Sequence, residues 1–211
     1  MAFIIGLSGI DGAGKTAAAE LLTQHLRSEG LRVRYQHELN YPIGKFLLRA
    51  VSLVMGKGRA EHAKTHLLTQ KENNRRGLSF LYHLLIFVDD LIMYGRLRLS
   101  AGVVVHDRWP YDTHLQFRTR NYDNRLIAWM FSHFPRPDQL LLLRVSARTA
   151  YKRKRTDPGH VNDGPEYFEA LVGWMAELES RFRYDAVIDA ESPIEQVVDA
   201  IHESIGLIHV N

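Results

Sequence analysis

The sequence predicts an α/β fold, in which a five-stranded parallel sheet carries helices on both faces. Two observations point to it. Short apolar runs of strand length alternate with longer segments of helical period, the order that builds a parallel sheet from crossover connections. The strand candidates are also apolar almost throughout, as at residues 3–8 and 103–105, which is the pattern of strands buried on both faces. At 211 residues, 45% hydrophobic and 24% charged, the chain suits one ordinary globular domain spanning 1–211.

Residues 3–8 read as the first strand. Residues 16–29 follow as a helix with Ala18, Leu21, Leu22, His25 and Leu26 on one side, and Gly30 stands where a helix C-terminal glycine belongs. Residues 31–37 alternate apolar and polar side chains as a second strand. Residues 43–55 are expected to be helical, with Pro42 at the start where a missing N–H costs little. Residues 56–77 are polar, basic and poorly patterned and suit a loop or short helix, whereas 78–100 has the length of a long helix. The third strand is expected at 102–106 and the fourth at 140–145, after which Ser146 caps a helix running to Arg155. A helix at 165–182, a short fifth strand at 186–189 and a helix at 194–205 complete the order.

Composition excludes several chemistries. Without cysteine there are no disulfides, thiolate nucleophiles or Cys-based zinc sites, and the chain fits a reducing compartment. Residues 1–6 read as a strand and not as a signal peptide, and the apolar stretch 81–94 is broken by Asp89-Asp90 and too short for a bilayer. The expectation is a cytoplasmic protein with no membrane partner. A formal charge of +3 and a pI near 9.2 suit polyanionic small molecules. The basic stretches 71–76 and 152–155 are too short to argue for a nucleic-acid partner.

In parallel sheets ligands bind beyond the C-terminal strand ends, which selects the segments after Ser8, His106 and Val145. The first reads Gly9-Ile10-Asp11-Gly12-Ala13-Gly14-Lys15-Thr16 and matches G-x-x-x-x-G-K-[ST], a P-loop. Its glycines let successive N–H groups converge on phosphate oxygens, and the following helix aims its positive end at the same anion. Lys15 supplies charge for the β- and γ-phosphates, and the Thr16 hydroxyl is placed to ligate Mg²⁺. ATP with Mg²⁺ is therefore expected. No Asn-Lys-x-Asp guanine-reading motif is present and no strand ends in Asp-Glu, so a small kinase is favoured over a GTPase or a motor. After the third strand, Asp107 can hold Mg²⁺ or take a proton from an attacking oxygen, and Arg108 can grip a phosphate in bidentate fashion. Beyond the fourth, Arg153-Lys154-Arg155-Thr156-Asp157-Pro158-Gly159-His160 suits a small basic lid at about 153–165 that brings positive charge to a migrating phosphoryl group.

With these pieces in place, the chain resembles the thymidylate kinase family of P-loop nucleoside monophosphate kinases over most of its length. The resemblance rests on Gly6-x-Ser8-Gly9-x-Asp11-Gly12-x-Gly14-Lys15-Thr16, on Asp107-Arg108, on the basic lid, on Ile188-Asp189-Ala190 and on Pro42-Ile43-Gly44-Lys45. It implies a P-loop NTPase fold and transfer of the ATP γ-phosphate to the 5′-phosphate of a deoxynucleotide, dTMP by default. It also implies that Asp11 faces the acceptor's sugar hydroxyl, that Asp107 and Arg108 serve Mg²⁺, acceptor positioning and the acceptor phosphate, and that Arg153 and Arg155 lie in the lid. One branch of the family carries its catalytic arginine in the P-loop; here that place reads Gly12-Ala13, so a lid arginine is expected instead. Members often pair through the helices beside the third strand, which makes 78–99 the candidate homodimer surface.

The acceptor half departs from the family pattern. The segment Gln36-His37-Glu38-Leu39-Asn40-Tyr41-Pro42 lacks the usual arginine, and Phe87-Val88-Asp89-Asp90 stands where an arginine near an aromatic is usual. Asp107-Arg108-Trp109-x-Tyr111-Asp112 looks similar to thymidylate kinase-like proteins of unassigned acceptor. Two alternatives follow: the same fold acting on a nucleoside, sugar or other hydroxyl compound, or a nucleotide-binding switch without turnover. The remaining chemistry-bearing residues read as structural. Of eleven histidines, His62 and His66 have helical ligand spacing without a third ligand, and His106 draws interest beside Asp107. Trp109, Trp129 and Trp174 are expected in the core or a pocket wall, as are Phe80, Tyr82 and Phe87, the last also suited to stacking on a base.

Overall fold

A computed structural model describes residues 1–37, 76–115, 124–155 and 164–206. The expected helix at 43–55, the basic segment before residue 76, the pair His62 and His66, and lid residues 156–163 lie outside the described residues. Five strands, β1 (Phe3–Ser8), β2 (Val33–His37), β3 (Val103–Asp107), β4 (Gln139–Arg144) and β5 (Ala186–Asp189), form one sheet in the order β2-β3-β1-β4-β5. Every pair is parallel, so all five C-terminal ends share one edge, with β1 in the middle. The helices are α1 (Lys15–Ser28), α2 (Arg76–Leu99), α3 (Arg125–Ser132), α4 (Ala147–Arg155), α5 (Pro165–Arg181) and α6 (Ile194–Ile205).

Alternation along the strands divides the core. Ile5 and Leu7 of β1 and Val103 and Val105 of β3 pack with Leu22 and Leu26 of α1, Phe168 of α5 and Ile201 of α6. Ile4 and Val104 point the other way and meet Leu97 of α2 with Trp109 and Phe134. Fully burying each such leucine or isoleucine is worth about 1.5–3 kcal/mol, so both layers hold the sheet in place. A Cβ on Gly6 would stand 2.9 Å from the Trp109 ring, so the glycine in β1 makes room for that indole.

Three expectations change. The buried stripe of α1 runs through Ala18, Ala19, Leu22, Thr23 and Leu26, while Leu21 and His25 stand half-buried at its rim. Helix α3 was not expected; its start is marked by Asn124, whose side chain accepts the Ile127 N–H at 3.1 Å. Trp129 on that helix is 56% exposed and not a core residue, because the apolar face of this short helix is carried by Ile127 and Phe131. The capping reading of Ser146 agrees with the structure, its hydroxyl accepting the Thr149 N–H at 3.2 Å, and Gly30 closes α1 through its N–H to the Arg27 carbonyl at 3.0 Å.

Candidate active site

β1 ends at the centre of the C-terminal edge and delivers the chain to the P-loop. Gly12 adopts φ 85°, a left-handed conformation, and a Cβ there would lie 2.6 Å from the Ala150 carbonyl oxygen. A Cβ on Gly9 would lie 2.7 Å from the Leu143 oxygen. The loop is thus pressed against β4 and α4, and only glycine fits either contact. Gly14 is the N-cap of α1 and brings no side chain to the first turn, whose N–H groups face outward as an anion site. Lys15 is buried, and its Nζ donates to the Gly9 carbonyl at 2.6 Å and the Ile10 carbonyl at 2.8 Å. Burial, with Arg108 nearby, lowers the Lys15 pKa, while Asp112, Asp11 and Asp107 work against that shift.

Asp107 closes β3 opposite Leu7 on one side and His37 on the other. Its buried carboxylate accepts the Thr16 hydroxyl at 2.7 Å and the Tyr35 hydroxyl at 3.3 Å through Oδ2, and His37 Nε2 stands 3.5 Å from the same oxygen. The other oxygen, Oδ1, is buried with no hydrogen-bond partner among the described residues. Burial and the Asp107 charge push the Tyr35 phenol upward, so it stays protonated as a donor. His106, adjacent in sequence, points to the opposite face against Trp109, with ring centroids 5.2 Å apart. Burial lowers its pKa to about 4, which leaves it a neutral core residue at pH 7.

Arg108 turns the chain with φ 73°, and its Nη2 donates to Asp11 Oδ1 at 2.5 Å, tying the edge of β3 to the P-loop. Burial works to raise the Asp11 carboxyl, but Arg108 and Lys15 outweigh it and hold the group below the ordinary carboxylate value. Beneath the loop, Asp112 accepts the Ser8 hydroxyl and the Gly9 N–H, the latter at 3.2 Å, and the Tyr184 hydroxyl stands 3.2 Å from Ser8 Oγ. Burial raises Asp112 from 3.8 to about 6, with Lys15 and the hydrogen bonds opposing it. In the sequence this bracing network leaves one trace, the polar Ser8 at the end of an apolar strand.

α4 carries the basic run to the same edge. Arg153 donates from Nη1 to the Gly12 carbonyl at 3.4 Å and from Nη2 to the Ala190 carbonyl at 2.9 Å. A cavity of about 240 Å³ is lined by Gly12, Gly14, Lys15, Thr16, Ala17, Arg108, Arg153 and Lys154. The structure therefore gathers Gly9, Asp11, Gly12, Ala13, Gly14, Lys15, Thr16, Asp107, Arg108 and Arg153 at one strand edge. Arg155 is exposed and does not line this cavity, whereas Lys154, to which the basic motif assigns no separate role, does. Asp89 and Asp90 are buried on α2.

The donor set suits phosphate and a hard cation. Backbone N–H groups, two ammonium groups and two guanidinium groups surround the cavity, and a hydroxyl lies beside a buried carboxylate whose other oxygen has no hydrogen-bond partner among the described residues. The thymidylate kinase family profile matches residues 7–201, from within β1 to within α6. The chain belongs to the thymidylate kinase family. It is accordingly a kinase, a phosphotransferase that binds nucleotides. A probable thymidylate kinase of Sulfurisphaera tokodaii is 24% identical over 92% of this chain and 91% of that protein. A thymidylate kinase of Xanthomonas oryzae pv. oryzae is 29% identical over 92% and 80%. Among solved structures, deoxyadenosine kinase from M. mycoides, with dCMP and dCDP bound, superposes with a TM-score of 0.63 over 98% of this chain and all of that one, at 17% identity. That likeness agrees with the P-loop NTPase fold. Among the described residues no helix is long and apolar enough to cross a membrane.

Proposed function

We propose that the chain transfers the γ-phosphate of ATP, in the presence of Mg²⁺, to a nucleoside monophosphate, with dTMP the default acceptor. The observation that carries this reading is the Thr16–Asp107 hydrogen bond, which joins the P-loop to the end of β3 across 91 positions, with Thr16 lining one cavity together with Lys15, Arg108 and Arg153. In the proposed reaction an acceptor phosphate oxygen forms a bond to the γ-phosphorus while the bond to the β–γ bridging oxygen breaks and ADP leaves. The P-loop N–H groups and Lys15 hold the donor phosphates, and Arg153 neutralises charge on the group in transit. Arg108 grips the acceptor phosphate, and Asp11, fixed by Arg108, faces its sugar. A phosphate monoester is largely dianionic at neutral pH, so its oxygen attacks without a proton to give up. Thr16 and Asp107 would hold Mg²⁺, which supplies charge neutralisation on the phosphate oxygens when bound. The names of the curated relatives support dTMP as acceptor.

A nucleoside acceptor is the second reading. It is favoured by the buried carboxylates Asp89 and Asp90 on α2, which suit hydroxyl or amino groups better than phosphate, and by the likeness to the M. mycoides deoxyadenosine kinase. Here Asp107 would take the hydroxyl proton. ADP release measured with ATP, Mg²⁺ and a panel of nucleoside monophosphates, nucleosides and sugars separates the two. The proposal expects dTMP to give the largest stimulation and Lys15→Ala to lower it by about 10²–10³-fold, the usual effect of removing one group that stabilises transition-state charge. Stimulation by a nucleoside and not by any monophosphate would replace the first reading with the second.

A further inference from the structure

The far end of α1 carries a cluster that phosphoryl transfer does not use. We propose that His25, Glu29 and His202 form a binding site for a divalent cation of the Zn²⁺ type, linking α1 to α6. His25 lies in the last turn of α1 and Glu29 is its C-cap, so the pair shares one helix face at i, i+4. His202 comes from the last turn of α6, 173 positions beyond Glu29, which is why sequence spacing gave no sign of it. One ligand atom from each residue lies within 4.8 Å of the other two. Glu29 Oε1 is 3.5 Å from His25 Nε2 and 3.1 Å from His202 Nε2. Ligands about 2.0–2.1 Å from a tetrahedral zinc ion stand about 3.3 Å from one another, and the two separations to Glu29 already match that spacing.

The chemistry and the scaffold agree with the spacing. Two imidazole nitrogens and one carboxylate oxygen suit zinc, cobalt or nickel, whereas magnesium and calcium prefer oxygen ligands throughout. The rings meet edge to face at 68° with centroids 4.8 Å apart, so the two imidazoles are not stacked and both present a nitrogen to Glu29. Both histidines stand in C-terminal turns, where the partial negative charge of the helix favours a cation. Leu22 and Leu26 of α1 and Val198 and Ile201 of α6 are buried in one core cluster, which fixes the helices that carry the ligands. The three side chains are 34–40% exposed, open to ions from solution, with a coordination position left for water. From Lys15 to His25 the helix rises about 15 Å, so the site is separate from the phosphate cavity.

The test uses the full chain with any affinity tag removed and metal stripped by EDTA. ZnCl₂ is titrated by calorimetry at pH 8, and Co²⁺ uptake is followed by its visible absorption. One equivalent should bind, at least tenfold more weakly in both His202→Ala and Glu29→Gln, and Zn²⁺ should raise the thermal midpoint of the wild-type chain more than that of either variant. No uptake by the wild-type chain, a weakening of less than tenfold in either variant, or an equal rise in midpoint overturns the proposal. Ions held at Thr16 and Asp107 would bind all three proteins alike and so count against it.

Discussion

Arg108 shows how a single residue can be placed for chemistry against the preference of its own backbone. A non-glycine residue at positive φ costs about 1–2 kcal/mol, and Arg108 sits at φ 73° with its side chain turned onto Asp11. The next N–H, from Trp109, is bound to the Leu7 carbonyl at 3.0 Å, which locks the turn to β1. Replacing Arg108 by alanine or glycine removes the same guanidinium, so both variants should lose phosphotransfer activity to a similar extent. Their stabilities should differ: Arg108→Gly should be more stable than Arg108→Ala by about 1 kcal/mol, the reverse of the usual order, because glycine accepts the left-handed turn. Urea unfolding of the two proteins side by side measures this. The sequence made Asp107-Arg108 visible as a candidate pair because charge follows a buried valine run after one intervening residue, His106. It could not show the backbone turn that sends Arg108 toward Asp11, since that depends on the P-loop 97 positions away.

At the scale of elements, the contact between the P-loop and α4 is the joint of the site. The Gly12 position abuts the Ala150 carbonyl, and Arg153, one turn further along α4, reaches back to the Gly12 carbonyl. Gly12→Ala would force a left-handed alanine against backbone, so stability should fall by about 2–4 kcal/mol. Nucleotide affinity should fall with it, because α4 and Arg153 must retreat; thermal unfolding and a nucleotide-binding titration report the two effects. Most strands and helices were legible within a residue or two, because buried parallel strands and their covering helices carry strong periodic signals. Helix α3 was not, since it has only eight residues and its one boundary signal, Asn124, is common in loops. The choice between Arg153 and Arg155 was illegible for a related reason: both lie on one basic helix end, and only the packing of α4 against the P-loop turns one into the cavity and leaves the other in solvent.

For the molecule as a whole, the buried Asp112 carboxyl should leave a mark on stability. Its pKa is raised in the folded chain to about 6, above the ordinary 3.8, so between these values the folded chain holds a proton that the unfolded chain has released. Its contribution to stability is fully present below about pH 4 and is lost as pH rises through about 6. The change approaches about 3 kcal/mol for a shift of two units. Asp112→Asn is neutral throughout and should lack this decline, so the difference in unfolding free energy between variant and wild type should move in the variant's favour from pH 4.5 to pH 7.5. A constant offset across that range would remove Asp112 as the cause. The carboxyl's position was beyond sequence reasoning, which saw Asp112 as the end of a motif. In the fold it lies under Ser8 and Gly9, braced from the far end of the chain by Tyr184.

Lys15 has a further consequence. With its ammonium over the Gly9 and Ile10 carbonyls, it works as a clasp that fastens the loop to itself and masks two negative dipoles near the cavity. Lys15→Ala would unfasten that clasp as well as remove a charge. The variant should therefore unfold at a lower temperature than the wild-type chain even with no nucleotide added, and its phosphate affinity should drop by more than one lost ionic contact accounts for, since the uncovered carbonyl oxygens would then repel the anion that the lysine once attracted.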